Sequence, residues 1–356
     1  MKKFSLDGHA DSFLPENKEW KLVWHDEFDG DALDETIWNR ELREPGWTNQ
    51  ELQEYTASDE NIFLRDGCLV LKGIKTEKDG KDYYTSGKVN SQNKADFTYG
   101  KVVARAKVPE GKGLWPAIWM MPQDESYYGQ WPKCGEIDIM EVLGSATETA
   151  YGTIHYGEPH AEQQGTVVLD NGSFASDFHE YSVEWEPGEF RWYIDGECYL
   201  TVNDWFTAVE GEDDKPYPAP FNQNFYLILN LAVGGHFDGV DGIHADPSIF
   251  DDGEKQFQID YVRVYDKGAF TPTEVASLPL EAYIEGADAS LVNKDGKTEI
   301  TVRNAGALEY GVMGLIKGNN VQTGETYTLS FDVSSDAERE MIVTAEDSVY
   351  TRFLDE

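Results

Sequence analysis

The stretch "YSVEWEPGEFRWYIDGECYL", residues 181–200, decides the fold. Pro187-Gly188 and Asp195-Gly196 are turn dipeptides. They cut the stretch into three short runs rich in aromatic and β-branched residues. Three strands in so short a span mean consecutive antiparallel hairpins. The pattern continues outward on both sides. "YGKVVARAKV" (99–108) alternates apolar and polar residues, and "FQIDYVRVY" (257–265) does so again. "FYLILNLAV" (225–233) is an almost unbroken apolar run, as expected of a strand covered on both faces. The sole helix-like window is "GSFASDFHEY" (172–181). Many strands with turn punctuation predict an all-β, two-sheet sandwich of jelly-roll type.

The chain has 356 residues, of which 40% are hydrophobic and 13% aromatic, so it can bury a sizeable core. Its formal charge of −38 argues against a nucleic-acid partner and against attraction to an anionic membrane. A neutral substrate fits such a surface. Cys68, Cys134 and Cys198 form no CxxC pair, and an odd, sparse set reads as free thiols. The start "MKKFSLDGHADSF" lacks the apolar core of a signal peptide, and no apolar run is long enough to span a bilayer.

All ten tryptophans lie between Trp20 and Trp205. The segment "KGAFTPTEVASLPL" reads as a linker. The expected organisation is an N-terminal extension at 1–19, a catalytic domain at 20–266, a linker at 267–280 and a second β segment at 281–356. In that last segment "KTEITVRNAG", "ETYTLSFDVSS" and "EREMIVTAED" are short strand-like runs. It is too short for a complete sandwich, so an incomplete one is expected.

Chemistry concentrates in "KCGEIDIMEV" (133–142). On a regular strand Glu136 and Asp138 share a face, and Glu141 falls one residue out of phase. A β-bulge around Ile139 and Met140 restores the phase and returns Glu141 to that face. Neighbouring carboxylates cannot all ionise cheaply, so at least one stays protonated. One ionised nucleophile and one protonated acid, roughly 5 Å apart, suit retaining glycoside hydrolysis. The order suggests Glu136 as nucleophile, Asp138 as its hydrogen-bond partner and Glu141 as acid/base. The same row on a solvent-facing strand would carry no chemistry. A divalent-metal reading is weaker, because no histidine pair accompanies the acids at ligand spacing.

Aromatic plates surround the acids. "GKGLWPAIWMMP" (111–122) supplies Trp115 and Trp119, and "YYGQWPKCGE" (127–136) supplies Trp131. Sugars stack on such plates. Trp115 and Trp131 each precede a proline in loop-like sequence and are expected in a cleft; Trp119 fits the core as well. His155 of "YGTIHYGE" lies on a candidate neighbouring strand.

"GEIDIME" in this tryptophan-rich setting resembles glycoside hydrolase family 16. Its extra residue before the last glutamate resembles the laminarinase branch, the endo-β-1,3-glucanases. The resemblance runs over about residues 20–266, through "LVWHDEFDGDALDETIW", "TNQELQEYT", "YTSGKVNSQNKADFTYGKVVARAKVPEGKGLWPAIWMMP", "GTIHYG", "LNLAVGG" and "IDYVRVY". It implies a concanavalin-like jelly roll with a concave, substrate-binding sheet. By position it implies Glu136 as nucleophile, Asp138 as assisting acid and Glu141 as acid/base. It implies sugar contacts from Asn49, Trp115, Trp119, Trp131 and His155, and from Lys88 at a position where the family often carries arginine. Phe237 stands where tryptophan is frequent. No catalytic cofactor is expected. A structural calcium is implied at Glu27, the Gly67 carbonyl and Asp260. The tail "NNVQTGETYTLSFDVSSDAEREMIVTAED" resembles the first half of a family 4/9-type carbohydrate-binding module.

The expected activity is retaining endo-hydrolysis of laminarin-type or mixed-linkage β-glucan by a monomer. A substrate too large to import implies an extracellular or cell-surface setting. The competing readings are a non-catalytic glycan-binding sandwich and another family 16 activity on a different polysaccharide.

Overall fold

The computed structural model describes residues 2–4, 20–207, 215, 218–237, 245–251, 255–266, 281–294, 297–304, 312–315, 344–346 and 352–355. The chain divides into two units, Met1–Thr271 with Gly318–Glu325, and Pro272–Lys317 with Thr326–Glu356.

The first unit is two antiparallel sheets, as expected, with one parallel pair at an edge. One runs, edge to edge, Lys2–Phe4 (β1), Ala161–Leu169 (β14), Thr149–Tyr156 (β13), Glu136–Val142 (β12), Leu114–Pro122 (β11), Phe225–Val233 (β18), Lys88–Asn90 (β8) and Asn39–Arg40 (β3). Asp96–Phe97 (β9) also pairs with β18. The other runs Glu197–Val202 (β17), Glu189–Ile194 (β16), His179–Glu186 (β15), Gly100–Lys107 (β10), Lys255–Asp266 (β19), Cys68–Lys78 (β6), Lys81–Ser86 (β7) and Gln53–Tyr55 (β4). Lys21–Asp26 (β2) joins β19, and Ile62–Arg65 (β5) joins β6.

The opening stretch forms β15, β16 and β17, joined at Pro187-Gly188 and Asp195-Gly196. Asp195 (φ 50°) and Gly196 (φ 80°) both take the left-handed backbone that a tight hairpin turn demands. Every residue of β18 is buried, in line with its unbroken apolar sequence. Between the sheets Trp185, Phe190, Trp192, Phe221 and Phe225 pack ring against ring.

The helix-like window at 172–181 is not a helix. It is a turn that runs into β15. Ser173 Oγ accepts from Ala175 N at 2.9 Å, and Phe174 N donates to Thr147 O at 2.8 Å. These local bonds compete with helical ones, and Phe174 is drawn into the core. Among the described residues the one helix is the short 3-10 turn Pro247–Phe250. None is long and apolar enough to cross a membrane. The three cysteines are free, with Cys198 exposed.

In the second unit the described residues form three antiparallel pairs. These are Glu281–Ile284 with Val312–Leu315, Asp288–Lys294 with Lys297–Asn304, and Thr344–Glu346 with Arg352–Asp355. The expected linker and "ETYTLSFDVSS" lie outside the described residues.

Candidate active site

The site is built on β12. Its neighbours fix the phase of the three acids. Against β11, Trp119 pairs with Asp138 and Ile118 with Met140, so Ile139 is the unpaired residue. Against β13, Asp138 pairs with Thr153 and Glu141 with Tyr151, so Ile139 and Met140 together oppose Gly152. This is the expected bulge. Ile139 and Met140 both turn into the core. The bulge carbonyl is caught from behind: Trp192 of β16 donates its Nε1–H to Asp138 O at 2.9 Å.

Glu136, Asp138 and Glu141 then form one row, with Asp138 only 3% exposed and Glu141 8%. Each glutamate has its own indole donor. Trp131 Nε1 donates to Glu136 Oε2, and Trp115 Nε1 donates to Glu141 Oε1 at 3.0 Å. His155, opposite Glu136 on β13, brings Nε2 to 3.2 Å from Asp138 Oδ2. Burial, then the Asp138 charge, pushes the Glu136 carboxyl up to about 8. Burial is also the main cause raising Asp138 and Glu141. At neutral pH the row therefore retains protons. A proton shared by Glu136 and Asp138 belongs to the pair.

These raised values carry a stability cost. A carboxyl held above its unfolded value near 4.5 binds a proton more tightly when folded. The cost is absent below that value and grows as pH rises through and above it. Glu141→Gln keeps the acceptor for Trp115 and removes the buried acid. It is expected to melt at least about 2 °C higher than wild type at pH 7 by calorimetry. The gap should close at pH 4.

The aromatic wall is partly as read. Trp131 is 46% exposed, as a stacking plate must be. Trp115 packs against Phe237 (5.3 Å between centroids), which also meets Tyr151 at 5.2 Å. Trp119 lies between the two alternatives: it packs on an outer apolar cluster with Met121 and Tyr226, and its Nε1 donates to Asn230 Oδ1 at 2.6 Å. Asn49 takes a left-handed backbone (φ 49°) and donates to Glu51 Oε1 at 3.2 Å.

Lys88 is placed differently from an open sugar contact. It is 3% exposed, 3.3 Å from Glu41, with the rings of Trp47, Trp119 and Tyr55 around its ammonium at 4.8, 4.9 and 5.7 Å. It braces the wall. Trp47, 51% exposed beneath Arg43 at 4.2 Å, was not among the expected contacts. Its signal is the turn dipeptide Pro45-Gly46 just before it, which differs from the following proline that marks Trp115 and Trp131. A histidine pair is also present after all. His160 Nε2 lies 2.9 Å from His155 Nδ1, and Glu162 joins them.

The expected calcium ligands flank one break in the second sheet. β6 pairs with Lys255–Ile259 of β19, and β2 pairs with Val262–Asp266. Glu27 follows β2, Gly67 precedes β6, and Asp260 is the unpaired residue at the β19 bulge. The carboxylates are already engaged. Arg263 donates to both oxygens of Glu27 at 2.8 and 2.7 Å and holds it below the usual carboxylate range. Arg105 pairs with Asp260. Two guanidinium groups supply the counter-charge that calcium would bring, so the side chains as placed do not fit a calcium cage.

The description "Glycosyl hydrolases family 16" matches residues 49–261, which is more than half the chain. The chain belongs to this family. Family 16 relatives include a glucan endo-1,3-beta-glucosidase A1 from Niallia circulans, 42% identical over 68% of this chain and 37% of its own length. This chain thus spans about a third of that relative. A beta-glucanase from Rhodothermus marinus is 40% identical over 69% of this chain and 85% of its own. The X-ray structure of the laminarinase from Rhodothermus marinus superposes with a TM-score of 0.61, at 37% identity, over 70% of this chain and 98% of its own. The family 16 assignment makes this chain a glycoside hydrolase, and its matched region encloses the β12 acids.

Proposed function

We propose that this chain is a retaining endo-hydrolase of β-1,3-glucosidic bonds in laminarin-type or mixed-linkage glucan. One observation carries the reading: Glu136 and Glu141 stand on one face, on either side of buried Asp138, each fixed by its own tryptophan N–H. The likeness to relatives named as endo-1,3-β-glucanases supports the choice of linkage.

In this reading Glu141, held protonated by burial, gives its proton to the departing glycosidic oxygen. Trp115 occupies the other oxygen of that carboxyl and so fixes which one faces the cleft. Glu136 attacks the anomeric carbon with its charge. The proton it shares with Asp138 shifts to Asp138 as it does so, and Trp131 steadies the carboxylate. Water then attacks the glycosyl-enzyme ester, and Glu141, now ionised, takes its proton. The step needs no cofactor. Trp131, Trp115 and Trp47 supply stacking faces for successive sugars. The polymer substrate places the enzyme outside the cell or on its surface, working as a monomer. A glucan-binding role for the second unit is proposed from its sequence alone.

Proton NMR of laminarin digestion tests the proposal. The first product signal is expected from the β-anomer, followed by slow mutarotation. An α-anomer appearing first overturns retention. Product sizing on laminarin, lichenan and agarose tests the linkage: oligosaccharides of several lengths from laminarin are expected, and cleavage of agarose alone overturns it.

A further inference from the structure

Next to the acid row lies a second cluster that the hydrolytic reading does not use. His155 is on β13 and Glu162 is its direct partner across the hairpin on β14. His160 comes from the turn that joins the two strands. Three donor atoms converge there. His155 Nδ1 lies 2.9 Å from His160 Nε2 and 3.3 Å from Glu162 Oε2, and the last two are 3.9 Å apart. Ligand atoms around tetrahedral zinc stand roughly 3.3 Å from one another. These separations admit a point roughly 2 Å from all three atoms, which is the length of a Zn–N or Zn–O bond.

The ligand types agree as well. Two imidazoles and a carboxylate suit zinc or a neighbouring first-row ion better than calcium or magnesium. His155 presents its other nitrogen to Asp138 at 3.2 Å, the carboxylate–histidine arrangement that orients metal-bound imidazoles. His160 and Glu162 are open to solvent, so an ion can enter. The chain's charge of −38 concentrates cations around it.

We propose that His155, His160 and Glu162 form a binding site for a divalent transition metal of the zinc class, and that filling it inhibits the enzyme. The site sits one imidazole away from Asp138. A dication there opposes the positive charge that develops on the sugar ring in the transition state.

Titration calorimetry with zinc chloride on the full chain tests binding, and laminarin hydrolysis with and without zinc tests the consequence. Only the second arm rests on the hydrolytic reading. Wild type is expected to bind one ion and to lose at least about 90% of its activity when saturated. His160→Ala and Glu162→Gln should keep their metal-free activity. Each should bind zinc at least about tenfold more weakly, since losing even an outer partner costs that much. Both should resist inhibition. No saturable binding in wild type, or undiminished binding in the double variant, overturns the site. Binding that leaves activity untouched overturns the inhibition.

Discussion

Glu136→Gln is expected to lower kcat on laminarin by about 10^3-fold or more while leaving KM within a few-fold of wild type. Glutamine keeps the shape of the side chain and still accepts from Trp131 Nε1, so the aromatic wall stays in place. What it loses is the charge that forms the glycosyl ester. A nucleophile that acts as part of a unit costs most of the chemistry when removed, and binding to the sugar plates is separate from it. The expected signature is a fall in kcat with circular dichroism unchanged. Removing the buried acid also relieves its burial cost, so the variant should melt no lower than wild type at pH 7. Wild-type-like release of reducing sugar would refute the assignment of Glu136. An equal loss of KM and kcat would mean that the residue shapes the cleft rather than attacks.

Gly152→Ala is the second large effect, and it acts from behind the site. A Cβ at this position would stand 2.4 Å from both Trp192 Cδ1 and Tyr199 Oη. Both side chains are buried, and Trp192 holds the bulge by donating to Asp138 O. The strand must move away or the indole must shift. Forcing a methyl into such a site costs about 1–3 kcal/mol or more. For a domain of this size that lowers the melting temperature by about 2–12 °C. Gly152 faces the bulge itself, so kcat should fall at least about tenfold even at temperatures where the protein is folded. A melting point within 1 °C of wild type, with normal kcat, would show that the bulge does not depend on this packing.

Several features were legible in the residues. Turn dipeptides at Pro187-Gly188 and Asp195-Gly196 announce their hairpins because few residues accept the backbone those turns need. The apolar run of β18 announces burial on both faces. The offset of Glu141 announces a bulge, because a strand has a period of two and an extra residue is the simplest way to keep three acids on one side. Other features were not legible. The helix-like window at 172–181 lost its helix to local serine bonds and to the pull of the core on Phe174. Lys88 read as a sugar contact, and instead is enclosed by Glu41, Trp47 and Tyr55 from one segment of the chain and by Trp119 from a distant one. The expected calcium ligands flank one sheet break, but arginines from β19 and β10 reach their carboxylates.

The all-β class, the strand that bears the acids and the need for a bulge there follow from local periodicity and turn chemistry, so the order of residues is enough to specify them. Tertiary structure decided which residue is extra, which tryptophan serves which glutamate, and that His160 and Glu162 stand beside His155. Those outcomes depend on the register between strands and on what packs behind them. Register is settled only when the strands pair and the core closes, because each pairing is judged by side chains far apart in the chain.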